Sequence, residues 1–421
     1  MAKIVLRAGK VAIKIILPFA ILGLTVYSVK MLTPAKAQTE PAQSELADEI
    51  ALARTYQEQG NYAEAEQIYQ GIIEQYPGTD GALAAQTQLA ILYINWDKPA
   101  DADAALEELT SIFSEHPGIA RAVCDIADMY YWELEKYEKA RELHQHVLDN
   151  WPDSEVAILS QADVAACNIR LGDAPAAEAA IEKLLAEFSE SELITEAARN
   201  IVDEYLTLQQ YEKARELCQY VLENRPSGED AVWLQAGLAI SYNGLGGDMN
   251  AKVAIDNLLA DFNDHPDLPY AMFQVGEQYA VKATDLKKQG LETEAKECFQ
   301  RAVSIWERVI QEFPDCDTAP RAYYCCAGCS EVELSEYEKA IEYYQKILAN
   351  WPYFDYKRAS YAQFGITRCY ENLEKSGKIS TEEAANKIRQ ACNNLLANYP
   401  ETNPAILQAA HKLLDKYQVS E

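Results

Sequence analysis

The apolar positions of this chain recur at three- and four-residue spacing, not in the alternation of a half-buried strand. In residues 45–77, Leu52, Ala53 and Tyr56 share one face of a first predicted helix. Gly60-Asn61 is a turn signal, and Tyr62, Ala65, Tyr69 and Ile72 line one face of a second helix. Pro77 stops that helix, because proline cannot continue the backbone ladder. The product is an αα-hairpin with an apolar face that it cannot bury by itself.

The same unit returns along the chain. Segments end at Tyr76-Pro77, His116-Pro117, Trp151-Pro152, Arg225-Pro226, His265-Pro266, Phe313-Pro314, Trp351-Pro352 and Tyr399-Pro400, with Phe188-Ser189 in the one remaining place. The steps between them are 40, 35, 37, 37, 40, 48, 38 and 48 residues. Whole phrases recur: YEKARELHQHVLDNWP at 137–152, YEKARELCQYVLENRP at 211–226 and YEKAIEYYQKILANWP at 337–352. Periods of this size mean stacked supersecondary units, each burying its apolar face on the next. The predicted class is all-α, with nine helix pairs at 43–77, 80–117, 119–152, 154–189, 191–226, 228–266, 267–314, 317–352 and 354–400. The two 48-residue steps call for longer helices. Residues 403–418 form a solitary tenth segment, in which Ala405, Leu407, Ala409, Ala410, Leu413 and Leu414 suit a capping helix with Gln408, Lys412 and Lys416 outside. The domain reading is a repeat stack over 45–400 and a capping helix and tail over 403–421.

The recurring positions resemble the tetratricopeptide repeat (TPR): a large apolar residue, a small one and Tyr in helix A, then Gly-x-Tyr-x-x-Ala at the turn, then an aromatic residue and Pro in helix B. Leu52, Ala53, Tyr56, Gly60, Tyr62, Ala65, Tyr69 and Pro77 fill the pattern. Ile201, Val202, Tyr205, Tyr211, Ala214 and Pro226 fill it again, as do Ala327, Gly328, Tyr337, Ala340, Tyr344 and Pro352. The resemblance covers about residues 45–400. Most steps are longer than the family's 34 residues, and the longer step with aromatic-Pro endings is more loosely similar to bacterial envelope TPR proteins, the outer-membrane assembly lipoprotein and the Tol-associated cell-division coordinator. The resemblance implies a right-handed α-solenoid whose helix A residues line a concave wall that binds a protein or peptide. Carried onto this register, that wall includes Arg54, Gln57, Asp125, Met129, Trp132, Arg199, Asp203, Cys325, Cys329 and Glu333.

Ahead of the repeats lies a different pattern. Residues 1–37 hold six basic residues and no acid, and an apolar run extends from Ile15 to Val29. Ala35-Lys36-Ala37 is a small-x-small site, so a cleaved secretory signal is one reading. An uncleaved membrane anchor over about residues 11–30, one N-terminal hydrophobic helix, is the other. Either reading places the body on the non-cytoplasmic side, in the periplasm or cell envelope. Residues 38–44 read as a short polar linker.

Charge then narrows the partner. With 37 Lys+Arg and 66 Asp+Glu, the net charge of −29 splits into +6 in the leader and −35 in the rest. Such a body does not neutralise phosphates, which excludes nucleic acid and favours a basic protein or peptide. No Walker or dinucleotide glycine spacing is present, nor any G-x-S-x-G or H-E-x-x-H. The reading is therefore a non-enzyme without cofactor or small-molecule substrate. His144 and His146 are two apart on a predicted helix and point to different sides, so no metal site is expected there. Cys325, Cys326 and Cys329 leave a remote thiol-redox alternative, although Cys326 lies too far inside its helix for the dipole to activate it. Cys369 and Cys392 lie about equally far from the Gly377 to Ser380 turn, which makes a disulfide between them an expectation to test. Most of the 26 tyrosines are consumed by repeat packing, whereas Trp132 stands out as an interface anchor. The function expected is an exported or membrane-tethered interaction scaffold, with a subunit of an envelope assembly complex as the alternative.

Overall fold

A computed structural model describes residues 41–352 and 356–417. The leader readings on residues 1–37, and residues 38–40 of the expected linker, lie outside the described residues. Residues 41–44, also read as linker, are instead helical: the first helix begins at Pro41, a residue whose missing N–H is harmless in a first turn. Among the described residues no helix is long and apolar enough to cross a membrane.

Nineteen helices and no strand are found among the described residues. The helices fall into two compact units, one ending at Val123 and the other running from Cys124. In the first, α1 (Pro41–Glu58) pairs with α2 (Tyr62–Gln75), and α3 (Asp80–Asn95) with α4 (Pro99–Ile112). Helix α5 (Ile119–Asp128) crosses the division and continues as a π turn, Met129–Glu133. The second unit continues through α6 (Tyr137–Asn150), α7 (Ala157–Leu171), α8 (Ala174–Glu187), α9 (Ile194–Thr207), α10 (Tyr211–Asn224), α11 (Ala231–Gly244) and α12 (Asp248–Asp261). It ends with α13 (Leu268–Lys288), α14 (Glu292–Glu312), α15 (Ala319–Val332), α16 (Tyr337–Asn350), α17 (Tyr356–Lys375), α18 (Thr381–Asn398) and α19 (Pro404–Lys416). The extra length of the 48-residue steps sits in α13 and α14, 21 residues each, and in α17 and α18, of 20 and 18.

Odd-numbered helices through α17 are the A members of the hairpins and even-numbered ones the B members. Every A-to-B turn passes through one left-handed residue, which reverses the chain in the shortest way. Glycine supplies it at Gly60, Gly172, Gly246, Gly290 and Gly377; Asp97, Glu135, Gln209 and Ser335 adopt it with a side chain, at φ 52–57°. The B helices stop on aromatic residues, Tyr76, Phe113, Trp151, Phe188, Phe262, Phe313, Trp351 and Tyr399, with Arg225 alone differing. Pro follows one residue later in most repeats, so aromatic packing and the proline break act together.

Within hairpins the apolar core is cross-linked by buried glutamines. Gln86 donates from Nε2 to the Ala105 carbonyl at 2.9 Å, Gln161 to Ala180 at 2.9 Å, Gln235 to Ala254 at 2.9 Å and Gln363 to Ala391 at 3.2 Å. Between hairpins, two nearly buried carboxylates are held by arginines of neighbouring A helices. Glu204 of α9 pairs with Arg170 of α7, and Glu331 of α15 with Arg368 of α17 at 2.5 and 2.8 Å, where Tyr344 also donates its hydroxyl at 2.8 Å. Glu331 is satisfied by charge-assisted bonds, the condition for burying a carboxylate, whereas Glu204 is held by its ion pair with Arg170. At the chain's far end, α19 places Ile406, Ala410 and Tyr417 against Ala384, Ile388 and Cys392 of α18.

Candidate functional site

The A helices carry the side chains that the repeats do not consume. In the first unit, Arg54 is exposed and Gln57 half-buried, its Oε1 without a hydrogen-bond partner. Lys98 lies 3.3 Å above the Trp96 ring, and Trp96 stacks on Tyr62 at 5.5 Å.

The second unit holds a longer arrangement. Arg199 of α9 lies 4.3 Å over the Trp233 ring of α11 while Nη1 donates to Asp230 at 2.8 Å and Nε faces Asp203 at 3.8 Å. Trp233 meets Tyr270 of α13 edge-on at 5.8 Å, and Tyr270 stacks on Phe273 at 6.3 Å. Arg321 of α15 then covers both rings, at 5.4 and 4.9 Å. Two guanidinium groups therefore flank a run of aromatic rings across four consecutive A helices, with Arg199, Trp233, Tyr270 and Arg321 all half-buried. Glu277 lies beside this ladder: burial raises its carboxyl, and the Arg321 and Arg358 charges pull it back. Of these residues the sequence argument named Arg199 and Asp203. Trp233 and Tyr270 stand 37 residues apart, one step of the repeat, and that recurrence of a ring at one helix A position was the available signal.

Two A helices of the same length class depart from the register that α7, α9 and α11 share. From the first residue of α9 to that of α10 is 17 positions, Ile194 to Tyr211, and the same holds from Ala157 to Ala174 and from Ala231 to Asp248. From Ile119 to Tyr137, and from Ala319 to Tyr337, it is 18. The extra residue widens the closing bond: Gln210 N reaches back five residues to Tyr205 O, but Lys136 N reaches six to Tyr130 O and Glu336 N six to Ser330 O. In α5 the excess opens the π turn, the usual way a helix absorbs an insertion. Counting back from helix B, as the sequence register did, makes Asp125 and Met129 equivalent to Arg199 and Asp203; counting forward from the start of helix A makes Cys124 and Asp128 so.

The structure places Asp125 on the surface and Met129 half-buried in the π turn. Trp132 is 47% exposed, its ring edge-on to Tyr131 at 4.7 Å. Cys325 and Cys329 are half-buried, and Glu333 is engaged by Lys287 at 2.6 Å. Thus Arg199 and Asp203 are brought together, while Glu333 is paired with a different helix.

The thiols show little sign of activation. Burial raises Cys325, Cys326 and Cys329, the last to about 12, so the thiolate that redox chemistry needs is disfavoured. Cys369 and Cys392 are free thiols, and the bridge expected between them is absent. The reason is packing: Cys369 enters the cluster around Tyr344 and Ile366, Cys392 that around Ile388 and Leu395. One group of three metal-ligating side chains converges among the described residues, Asp128, His144 and Asp163.

Comparison with known proteins bears on the fold. Tetratricopeptide-repeat family models match residues 51–79 and 168–229. No curated protein matches the chain. Among solved structures, it is similar to a tetratricopeptide repeat protein from Parabacteroides merdae (18% identity, 64% of this chain and 98% of that one, TM-score 0.35). It is also similar to PilW, a widely conserved type IV pilus biogenesis factor (16% identity, 55% and 98%, TM-score 0.33). A third is a Rap protein complexed with competence and sporulation factor (15% identity, 89% and 99%, TM-score 0.33). Tetratricopeptide-repeat sequence is therefore present at residues 51–79 and 168–229, and the helix pairs around those segments repeat the same hairpin.

Proposed function

We propose that this chain is a non-enzymatic scaffold that binds a protein or peptide segment along the exposed face of its A helices. The observation that carries the reading is the ladder of Arg199, Trp233, Tyr270 and Arg321. Trp, Tyr and Arg dominate interface energetics, and here they are held in place by one another before any partner arrives. Asp203, Asp230 and Glu277 border the ladder, so a segment with basic and flat groups finds both its charge and its stacking partners there. The body's charge of −35 adds long-range attraction for such a segment.

The test is affinity capture from the native source with mass spectrometry, followed by titration of the captured segment. Trp233→Ala should weaken binding by about tenfold or more, and affinity should fall as salt rises. An unchanged Kd in Trp233→Ala, or one indifferent to ionic strength, overturns the proposal. The thiol-redox alternative predicts that serine at Cys325, Cys326 and Cys329 abolishes an activity and leaves binding intact.

Export, with the body tethered or released in the envelope, is the second part of the proposal. It is supported by the basic start of the leader, its apolar run and Ala35-Lys36-Ala37. The looser similarity to envelope repeat proteins is what supports a place in an envelope assembly complex. Fractionation of cells expressing the full chain, and the mass of its N-terminus, decide both.

A further inference from the structure

His144 sits on a B helix at a position where other repeats place Tyr69, Cys218 and Tyr344, all buried core residues. It is 1% exposed, and neither ring nitrogen has a hydrogen-bond partner. Leaving a buried polar atom unsatisfied costs about 1–3 kcal/mol. The imidazole is not surrounded by apolar groups alone. Asp128 Oδ1 of α5 lies 3.8 Å from Nε2, and Asp163 Oδ2 of α7 lies 3.8 Å from Nδ1. Both separations are too long for hydrogen bonds, and one ligand atom from each of the three residues falls within 4.8 Å of the others. Three residues of the same unit, from three helices, thus bring three donor groups close together.

We propose that Asp128, His144 and Asp163 bind a divalent transition-metal ion of the zinc class. The donor set suits it: one imidazole nitrogen and two carboxylate oxygens are ligands for such ions, and two carboxylates balance a dication. Around a four-coordinate ion with bonds of about 2.1 Å, ligand atoms stand about 3.4 Å apart. With one ring nitrogen as the ligand, the three donor atoms lie within 4.8 Å of one another, so binding draws them together by about 1 Å. Asp128, 51% exposed, leaves an entry path.

The intact protein is titrated with Co²⁺, read by its visible d–d absorption, and with Zn²⁺ by equilibrium dialysis. The expected result is one ion per chain, with no intense thiolate-to-cobalt band in the near ultraviolet, and at least tenfold weaker binding in His144→Gln and Asp163→Asn. Asp128→Asn, at an exposed carboxylate, keeps the fold and weakens binding by the same order, so the test survives if His144→Gln unfolds. No saturable binding, a thiolate band, or unchanged affinity in Asp128→Asn and Asp163→Asn overturns the proposal.

Discussion

Helices α6 and α10 begin from almost the same text. Over 137–152 and 211–226, twelve of sixteen residues are identical, so local propensity cannot distinguish them. Their surroundings do. Cys218 of α10 is fully buried against Gly237 of α11, where an added Cβ would stand 3.3 Å from its Sγ and 3.0 Å from Val202. At the matching places α6 has His144 and α7 has Asp163. One site is small against small and dry; the other is imidazole against carboxylate. The difference teaches that the repeat fixes a pair of facing positions, not what occupies them, and that both members change together when the chemistry changes.

The comparison is most easily broken at the dry site. Cys218→His should cost about 3 kcal/mol in urea unfolding, because a larger ring with two polar nitrogens enters a packed position against Gly237, where α7 has Asp163. A loss well under 1 kcal/mol would mean that α10 is as roomy as α6. The reciprocal change, His144→Cys, should stabilise the metal-free protein by about 1 kcal/mol by removing the unsatisfied nitrogens. Destabilisation instead would show that the imidazole already bonds to its acids in solution.

Glu277 sharpens the picture on the ladder side. Its carboxyl is raised in the fold, so over the window above its unfolded pKa of about 4.5 the folded state holds more protons than the unfolded. Its contribution is present at acid pH and lost as pH rises through the folded pKa. Glu277→Gln should therefore gain a few tenths of a kcal/mol at pH 7 relative to wild type and nothing at pH 4, as read from paired denaturation curves. A comparably small effect belongs to the turns. Glu135 and Gln209 are left-handed at φ 52° and 56°. Replacing either by Gly should gain about 0.5 kcal/mol, the relief of strain outweighing glycine's extra chain entropy. Equal gains would show that the π turn before Glu135 adds no strain of its own.

The stack was legible because its cues are local: a helical period, a turn and a terminal Pro repeated in register. The surface was less so. Arg199 and Asp203 were found because their helix keeps the common length. Asp125, Met129, Cys325 and Cys329 were chosen by counting across turns that contain one residue more, and a single insertion has no signature in an apolar pattern that tolerates it. Trp233, Tyr270 and Arg321 were missed because each looks like packing when its repeat is considered alone. His144 was judged against His146, its neighbour in the chain, whereas the acids that face it come from α5 and α7.

The extra residue in α5 and α15 carries a consequence for how such a surface can diversify. One residue turns a helix by about 100°, so an insertion rotates every outward side chain on one side of it by more than a quarter turn. The B helix that follows stays where it was, because the widened bonds from Lys136 to Tyr130 and from Glu336 to Ser330 absorb the excess before it starts. A single codon gained in a helix A is thus a complete change of vocabulary for that stretch of surface, made without rewriting the grammar of the stack.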